Sequence, residues 1–494
     1  MSEPRDAGPT YLAIDIGASS GRAVLGTLAG GRMEMHEVHR FRTPLIEADG
    51  HLYWDAEALW AETRAALTQA LQAAPGLRSV SVDTWAVDYV PIGFDGAPLR
   101  NPYSYRDLRT AGRLAEALRL VGGADAVYAR TGIQFLEFNT LPQIVADVRD
   151  EPALVARTAT RLLIADYLLY LLSGELVAER TIASTTQLLD ARNGGWAEDM
   201  IGALGDAPER WPRLVAPGTV LGPVRGAALP ASRSNAPLVL ATCSHDTAAA
   251  VAAVPAEGDR PWAYISSGTW SLIGGELRAP LLVRQAREAG FTNEAGLDGT
   301  VRFLKNRTGM WVLEECVREW AAADGGRPSY DALLTAAAAS PPLGGTIDLN
   351  APEFAQRGDM EGKVAAACRA AGMAPPDARG PLVRLVLESL AESYRRALAQ
   401  LDALTGAAAE VVHVVGGGAR NGLLNQLTAD ACARPVVAGP DEATALGNLL
   451  VQARTLGDLP AGVSVRDAAR RSARITTYRP SSVAPARTMA LSQQ

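Results

Sequence analysis

Three aspartates stand where an extended apolar run gives way to a turn, a placement that can serve phosphate, metal or proton-transfer chemistry. The first, Asp15, belongs to the stretch YLAIDIGASSGRAVL, from Tyr11 to Leu25. Tyr11 to Ile14 reads as a buried strand, Gly17 and Gly21 bracket a tight turn, and Ala23 to Leu25 resume an extended run. The backbone N–H groups of Ala18, Ser19 and Ser20 can then converge into a nest that binds phosphate oxygens without a lysine. Asp15, at the mouth of the turn, has the chemistry to hold Mg²⁺ directly or through water, because this hard ion keeps much of its hydration beside nucleotide phosphates. Short Gly/Ser turns also close ordinary hairpins, and these residues alone fit both readings.

The second aspartate, Asp83, ends the run Val80 to Trp85, with Asp88 five residues on. Open α/β sheets place ligand contacts at such strand ends, but on its own Asp83 reads as a helix cap or turn residue. The third, Asp246, follows the strand Leu238 to Cys243 in Ser244-His245-Asp246-Thr247, ahead of the small-residue run Ala248 to Val254. At a strand-to-helix junction it can face a cleft, accept a hydroxyl proton and stay ionised near a helix N-terminus. It fits equally well as an N-cap, with His245 in a structural hydrogen bond.

These residues need a scaffold, and the pattern supplies one. After the opening hairpin, Gly30-Gly31 reads as a turn and Met33 to Arg42 as a third strand. Asp55 caps a helix through Ala73 that is closed by Gly76. Tyr105 to Arg109 places charge beside aromatics before a helix over Thr110 to Leu120. The loop from Gly132 to Thr140 mixes aromatic faces with amides, as a polyol-binding surface or a packed loop would, and Thr181 to Gln187 reads as a strand or turn. Pro255 to Pro261 is the linker candidate. Beyond it, Trp262 to Gly274 again reads strand, Ser/Gly turn, strand, so each half opens with a phosphate-sized hairpin. Phe303 to Asn306 leads into a helix bearing Trp311 and Val317. A long helix spans Pro381 to Leu404 and stops at Gly406. Val411 to Val415 then runs into Gly416-Gly417-Gly418 and a helix from about Asn421, a place where backbone can approach a nucleotide closely. Pro435 to Ala438 and a helix from Glu442 to Gln452 complete an α/β unit, and after Thr477 the chain reads as a fraying tail.

Composition sets the bounds. At 494 residues, 48% hydrophobic and 20% charged, the chain is globular and long enough for two domains. A net charge of −7 argues against a general nucleic-acid or anionic-membrane binder. Lys305 and Lys363 are its only lysines. Cys243, Cys316, Cys368 and Cys432 form no CxxC pair, and the five histidines show no ligand spacing, so a disulfide framework and a structural zinc site are both disfavoured. A reducing cytoplasm suits this composition, and no secretory signal is read in MSEPRDAGPT. The apolar run Leu162 to Leu172 is too short to cross a bilayer and reads as a core helix. No GxxxxGK[ST] is present and GxGxxG fits poorly, which leaves P-loop and Rossmann readings weak.

Taken together and in order, DIGASSGR (15–22), VDTWAVD (82–88), YRDLRT (105–110), TGIQFLEFNT (131–140), SHDTA (244–248), SSGTWSL (266–272), LKN (304–306) and VVGGGARNGLLNQLTADA (414–431) resemble the FGGY family of carbohydrate kinases. The resemblance covers about residues 11 to 456. It implies an α/β fold of two ribonuclease H-like, actin-like ATPase domains with a catalytic cleft between them, assigned to residues 1–254 and 255–477 ahead of a tail over 478–494. It further implies phosphorylation of L-rhamnulose at O1 by ATP with Mg²⁺. The same fold would also serve another ketose, L-fuculose or a xylulose, or a sugar-independent actin-like ATPase. Carried over by position, the resemblance makes Asp246 the proton acceptor, and Ala86, His245, Thr247 and Asn306 the sugar contacts. It assigns ATP to Ala18, Ser19, Ser20, Gly21, Arg22, Thr269, Glu314 and Gly418, and the metal to Asp15. Two positions depart from the pattern that the resemblance implies: Ala86 stands where a glycine would contact the sugar, and Glu314 where a glutamine would be assigned to ATP.

Overall fold

The structure is a computed structural model and describes residues 8–229, 236–258 and 260–481. Its architecture grows from the predicted opening hairpin. Strand β1 (Thr10–Ile16) pairs antiparallel with β2 (Ser20–Ala29), which pairs with β3 (Arg32–Arg42). After helix α1 (Ala56–Ala73), whose cap Asp55 accepts from the Ala58 N–H as expected, β4 (Ser79–Thr84) adds parallel to β1. Later strands β5 (Thr219–Pro223) and β6 (Leu238–Ala241) complete a six-stranded sheet in the order β5-β6-β4-β1-β2-β3. The parallel register sets Asp15 directly opposite Asp83, and the antiparallel register sets it opposite Arg22. Pairing thus gathers Asp15, Arg22 and the distant Asp83 at one end of the sheet.

The second sheet repeats this plan. Hairpin β7 (Trp262–Ser267) and β8 (Trp270–Leu277) is flanked by β9 (Thr292–Ala295) and β10 (Val301–Thr308), while β11 (Val411–Val415) adds parallel to β7. With β12 (Val436–Ala438) and β13 (Thr476–Tyr478) the order is β9-β10-β8-β7-β11-β12-β13. An antiparallel hairpin extended by parallel strands is therefore built twice.

Two helices join the lobes. The strand β6 passes through residues 242–245 into α2 (Asp246–Ala252), while α3 (Ala443–Thr455), from the second half of the chain, packs on α2 and against β1 and β4 of the first sheet. The approach is close enough that Gly447 is required: a Cβ there would lie 1.9 Å from the Ala249 carbonyl oxygen. Along α3, Asn448 donates to Asp83 and Gln452 donates to the Leu12 carbonyl, so buried amides tie this helix to the first sheet.

Several expectations need correction. The run Leu162 to Leu172 is not one helix: Thr158–Leu163 forms a strand, and the helix is Ile164–Ser173. The run is apolar throughout because both pieces are buried, and uniform burial erases the periodicity that would separate them. Residues 181–187 form a short helix, Arg180–Ala183, and a 3-10 turn, Ser184–Thr186, capped by Glu179. The helix expected from Thr110 begins at Arg113, after a 3-10 turn over Leu108–Thr110. A hairpin of Leu45–Ala48 and His51–Trp54 was not anticipated. Asp83 is no helix cap; it is fully buried in the sheet. The expected fraying after Thr477 is overturned as far as Ser481: Tyr478 pairs in β13 and the Ser481 N–H donates to Asp430. The rest of that tail, 482–494, lies outside the described residues. Among the described residues no helix is long and apolar enough to cross a membrane.

Candidate active site

A cleft of about 640 Å³ lies between the lobes, within the usual size range of small-ligand sites. Its walls include both Ser/Gly hairpin turns, the ends of β4 and β6, the 132–140 loop, and Gly416 and Gly417 after β11. In the first hairpin the turn carbonyls are occupied: Ser20 accepts from the Gly17 N–H, Ser19 from the Thr43 N–H, and Gly17 from the Thr43 hydroxyl. The N–H groups of Ala18 and Ser19 donate to nothing among the described residues. Both residues line the cleft, so the turn presents free donors to it. Gly21 serves differently: a Cβ there would enter the Phe41 ring at 2.2 Å, so this glycine lets the sheet pack.

Arg22 is held before any ligand arrives. Its Nε and Nη2 donate to Asp15 Oδ2 at 3.0 and 2.8 Å, and its Nη1 pairs with Glu442. Asp83, opposite Asp15, accepts from Asn448 Nδ2 at 2.6 Å, while its Oδ1 is buried without a partner. Burial, then the Asp15 charge, push the Asp83 carboxyl well above its ordinary pKa. Among the described residues no three His, Cys, Asp or Glu side chains converge on one metal position. Of these carboxylates Asp15, paired with Arg22 behind the turn, suits a hydrated Mg²⁺ carried in on nucleotide phosphates, an ion that needs few direct protein ligands.

Asp246 occupies the first turn of α2, where His245 is the N-cap. Its Oδ1 accepts from the N–H and hydroxyl of Thr247, and the 31% of its side chain that remains exposed opens into the cleft. Burial and then the negative charge of Asp15 push its pKa up to about 7, against the downward pull of the Thr247 hydrogen bonds. A carboxylate with that pKa can take a proton near neutrality. His245 is held beside it in a defined state. Arg302 Nη2 donates to His245 Nδ1 at 3.0 Å, which makes that nitrogen the acceptor and leaves the ring proton on Nε2, 3.4 Å from Asp246 Oδ1. Burial, then the Arg302 charge, hold the imidazole pKa well below its ordinary value, so the ring is neutral. Arg302 is in turn fixed by Glu294, 3.0 Å from its Nη1, and by the Ala295 carbonyl. Behind the site, Glu179 accepts from the Ser244 N–H at 3.0 Å and from the Thr181 and Ile182 N–H groups, locking the 244–246 turn.

The remaining wall is aromatic and amide. Asp88 receives the indole N–H groups of Trp54 and Trp85, the Gln143 amide and the Tyr105 N–H, which fixes a cluster in which Trp54 and Trp85 lie 4.3 Å apart. Trp85, Ala86, Tyr105, Arg106, Gln134 and Phe138 all face the cleft. Asn306, from β10, reaches across to donate to Gln134 Oε1 at 3.1 Å, so the two lobes meet through two amides.

Of the residues singled out in the sequence, Ala18, Ser19, Ser20, Arg22, Ala86, His245, Asp246, Thr247, Thr269 and Asn306 line this one cleft. Asp15 stands behind Arg22. Gly418 packs on Ser267, where a Cβ would meet its Oγ at 2.0 Å, and Glu314 is reached only through Thr269, whose hydroxyl donates to it at 3.3 Å. Glu294, Arg302 and Glu442 were not foreseen. Their partners are long-range, and no local spacing marks them; the only signal for Glu294 is its alternation with Thr292 on β9, both facing the cleft.

Two family models match the chain. The N-terminal domain of the FGGY family of carbohydrate kinases matches residues 10–253, and the C-terminal domain of the same family matches residues 263–456. A rhamnulokinase of Bacteroides thetaiotaomicron is 41% identical over 474 residues, covering 96% of each chain. Rhamnulokinases of Klebsiella pneumoniae and Bacillus subtilis are 41% and 39% identical, the first covering 95% of this chain and 94% of the relative, the second 96% of both. Among solved structures, a ligand-bound xylulose kinase of Lactobacillus acidophilus superposes with a TM-score of 0.78 at 17% identity, covering 96% of this chain and 94% of that one. A glycerol kinase of Plasmodium falciparum with ADP gives 0.77 at 15% identity, covering 96% and 95%. These two likenesses establish the two-lobed kinase fold.

Proposed function

The chain belongs to the FGGY family of carbohydrate kinases, and from that premise we propose that it transfers the γ-phosphoryl group of ATP to O1 of L-rhamnulose, giving L-rhamnulose 1-phosphate and ADP. The observation that carries the chemistry is the placement of Asp246, a carboxylate in the first turn of α2 open to the cleft between the two hairpins, where burial raises its pKa to about 7. It accepts the proton of the C1 hydroxyl as the oxygen attacks phosphorus. His245 Nε2–H and Thr247 hold Asp246 in place and face the sugar beside it. The free N–H groups of Ala18 and Ser19, with Thr269 from the opposite hairpin, take the phosphate oxygens, and Arg22 exchanges Asp15 and Glu442 for phosphate. Asp15 would be the protein contact for Mg²⁺ bound with ATP, and the ion would neutralise phosphate charge. What the protein contributes is mainly positioning and charge stabilisation, as phosphoryl transfer requires. Asn306 and Gln134 clamp the sugar hydroxyls from both lobes. We assign the lobes to residues 1–254 and 255–477.

The sugar assignment rests on relatives about 40% identical to the chain over nearly its whole length, and Ala86 is its point of tension, since its methyl group faces the pocket. An ADP-release assay with MgATP across L-rhamnulose, L-fuculose, D-xylulose, L-ribulose and glycerol tests it. The expected result is the highest kcat/KM with L-rhamnulose. Preference for L-fuculose or a xylulose would reassign the pocket, and ADP release without any sugar would replace the kinase by an ATPase.

A further inference from the structure

Behind the catalytic cleft lies a second cavity of about 330 Å³, also walled by both lobes. From the first lobe come Arg180, Arg192 and Asn193, and from the second Asn293, Asp298 and Thr300. Arg180 is half-buried, and among the described residues its guanidinium has no ion pair and no hydrogen bond; its Nε is fully enclosed without an acceptor. Arg192 is exposed and its side chain is likewise unpaired. The one carboxylate on the wall, Asp298, is already engaged by Arg454 at 2.8 Å. A chain with net charge −7 therefore keeps two uncompensated guanidinium groups around an interlobe cavity. An enclosed guanidinium without a partner is costly unless an anion completes it, and its planar fork matches phosphate oxygens.

We propose that this rear cavity binds a small phosphate monoester of sugar-phosphate size, held through its phosphate by Arg180 and Arg192, with its hydroxyls toward the Asn193 and Thr300 sides of the wall. The volume exceeds what inorganic phosphate fills and lies at the lower end of the range for small-ligand pockets. The site is joined to the catalytic cleft by β9. Thr292 and Glu294 face the cleft, while Asn293 and Ala295 face the rear cavity, as alternate residues of one strand must. Arg302 bonds both sides: its Nε donates to the Ala295 carbonyl and its Nη groups hold Glu294 and His245. Ser184 on the rear wall accepts from the Ala295 N–H, and its neighbour Thr185 lines the cleft. A ligand that bridges the lobes here biases their closure and the setting of His245, and so adjusts turnover; that consequence rests on the kinase reading, whereas the binding itself does not.

The test is titration calorimetry of the full chain in phosphate-free buffer, with D-glucose 6-phosphate and separately with inorganic phosphate, each with and without saturating MgADP. One saturable site for the ester is expected, retained when MgADP is present, tighter than for inorganic phosphate, and weakened at least about tenfold in Arg180→Gln and in Arg192→Gln. Arg192 is exposed, so the second variant remains informative should the first fold poorly. Absence of saturable ester binding at millimolar concentration, its loss on adding MgADP, equal affinity for inorganic phosphate, or unaltered binding in Arg192→Gln and a folded Arg180→Gln would overturn the assignment. A shift in KM or kcat of the wild type on adding the ester, absent in the Arg192 variant, is the expected regulatory consequence.

Discussion

Three carboxylates crowd one end of the first sheet, and burial, reinforced by the charge of Asp15, tunes the base. Asp246 is raised to about 7 by burial first and by Asp15 second, so it is protonated below that pH and ionised above it. As a proton acceptor it must be ionised, and kcat/KM is therefore expected to rise with pH through about 7 and level off beyond it. In Asp15→Asn the rising limb moves to lower pH, because the second cause of the shift is removed; a pH–rate profile of both proteins checks this. Stability runs the other way. A carboxyl whose folded pKa is raised contributes stability below its unfolded pKa of about 4, and that contribution is lost as pH rises through the folded value of about 7. Asp246→Asn, which carries no charge, is thus expected to melt at a higher temperature than the wild type above about pH 7, with the difference shrinking as the pH falls toward about 4. An unchanged difference across that window would remove the electrostatic account of Asp246.

The elements that place these groups differ in how far the sequence discloses them. Both hairpins, the Asp55-capped helix, the long Arg379–Thr405 helix ended by Gly406, and the strand before Gly416 were legible, because alternation, caps and terminal glycines act over a few residues. Ten of the expected site residues meet in one cleft because the motifs that carry them sit in strand-to-turn junctions at the same ends of the two sheets. What remained hidden depends on register or on distant partners. Asp83 looks like a turn residue until parallel pairing sets it beside Asp15, and the Arg302–His245 contact joins residues 57 positions apart. The run from Leu162 changes from strand to helix without any change in hydrophobicity. The junction between α2 and α3 belongs to the same hidden class, and it can be probed. Gly447→Ala inserts a methyl group against the Ala249 carbonyl of the helix that begins with Asp246, where neither backbone can yield cheaply. A loss of about 1–3 kcal/mol in unfolding free energy is expected, together with a lower kcat; denaturant melts and steady-state kinetics read both.

At the scale of the molecule, two copies of one sheet plan face each other across a cleft, tied by α3 at the base and by Gln134–Asn306 across it. Such a frame can close on sugar and nucleotide together, which excludes water from the phosphoryl group and couples ATP use to the sugar. Closure and Asp246 together then serve transfer to a sugar hydroxyl, which phosphorus NMR of the full chain with MgATP and L-rhamnulose, run beside Asp246→Asn, can follow. One C1 phosphomonoester is expected for every ADP formed by the wild type, and a rate at least about a hundredfold lower in the variant, with sugar binding retained. Inorganic phosphate in place of the ester, or an Asn variant as fast as the wild type, would contradict it.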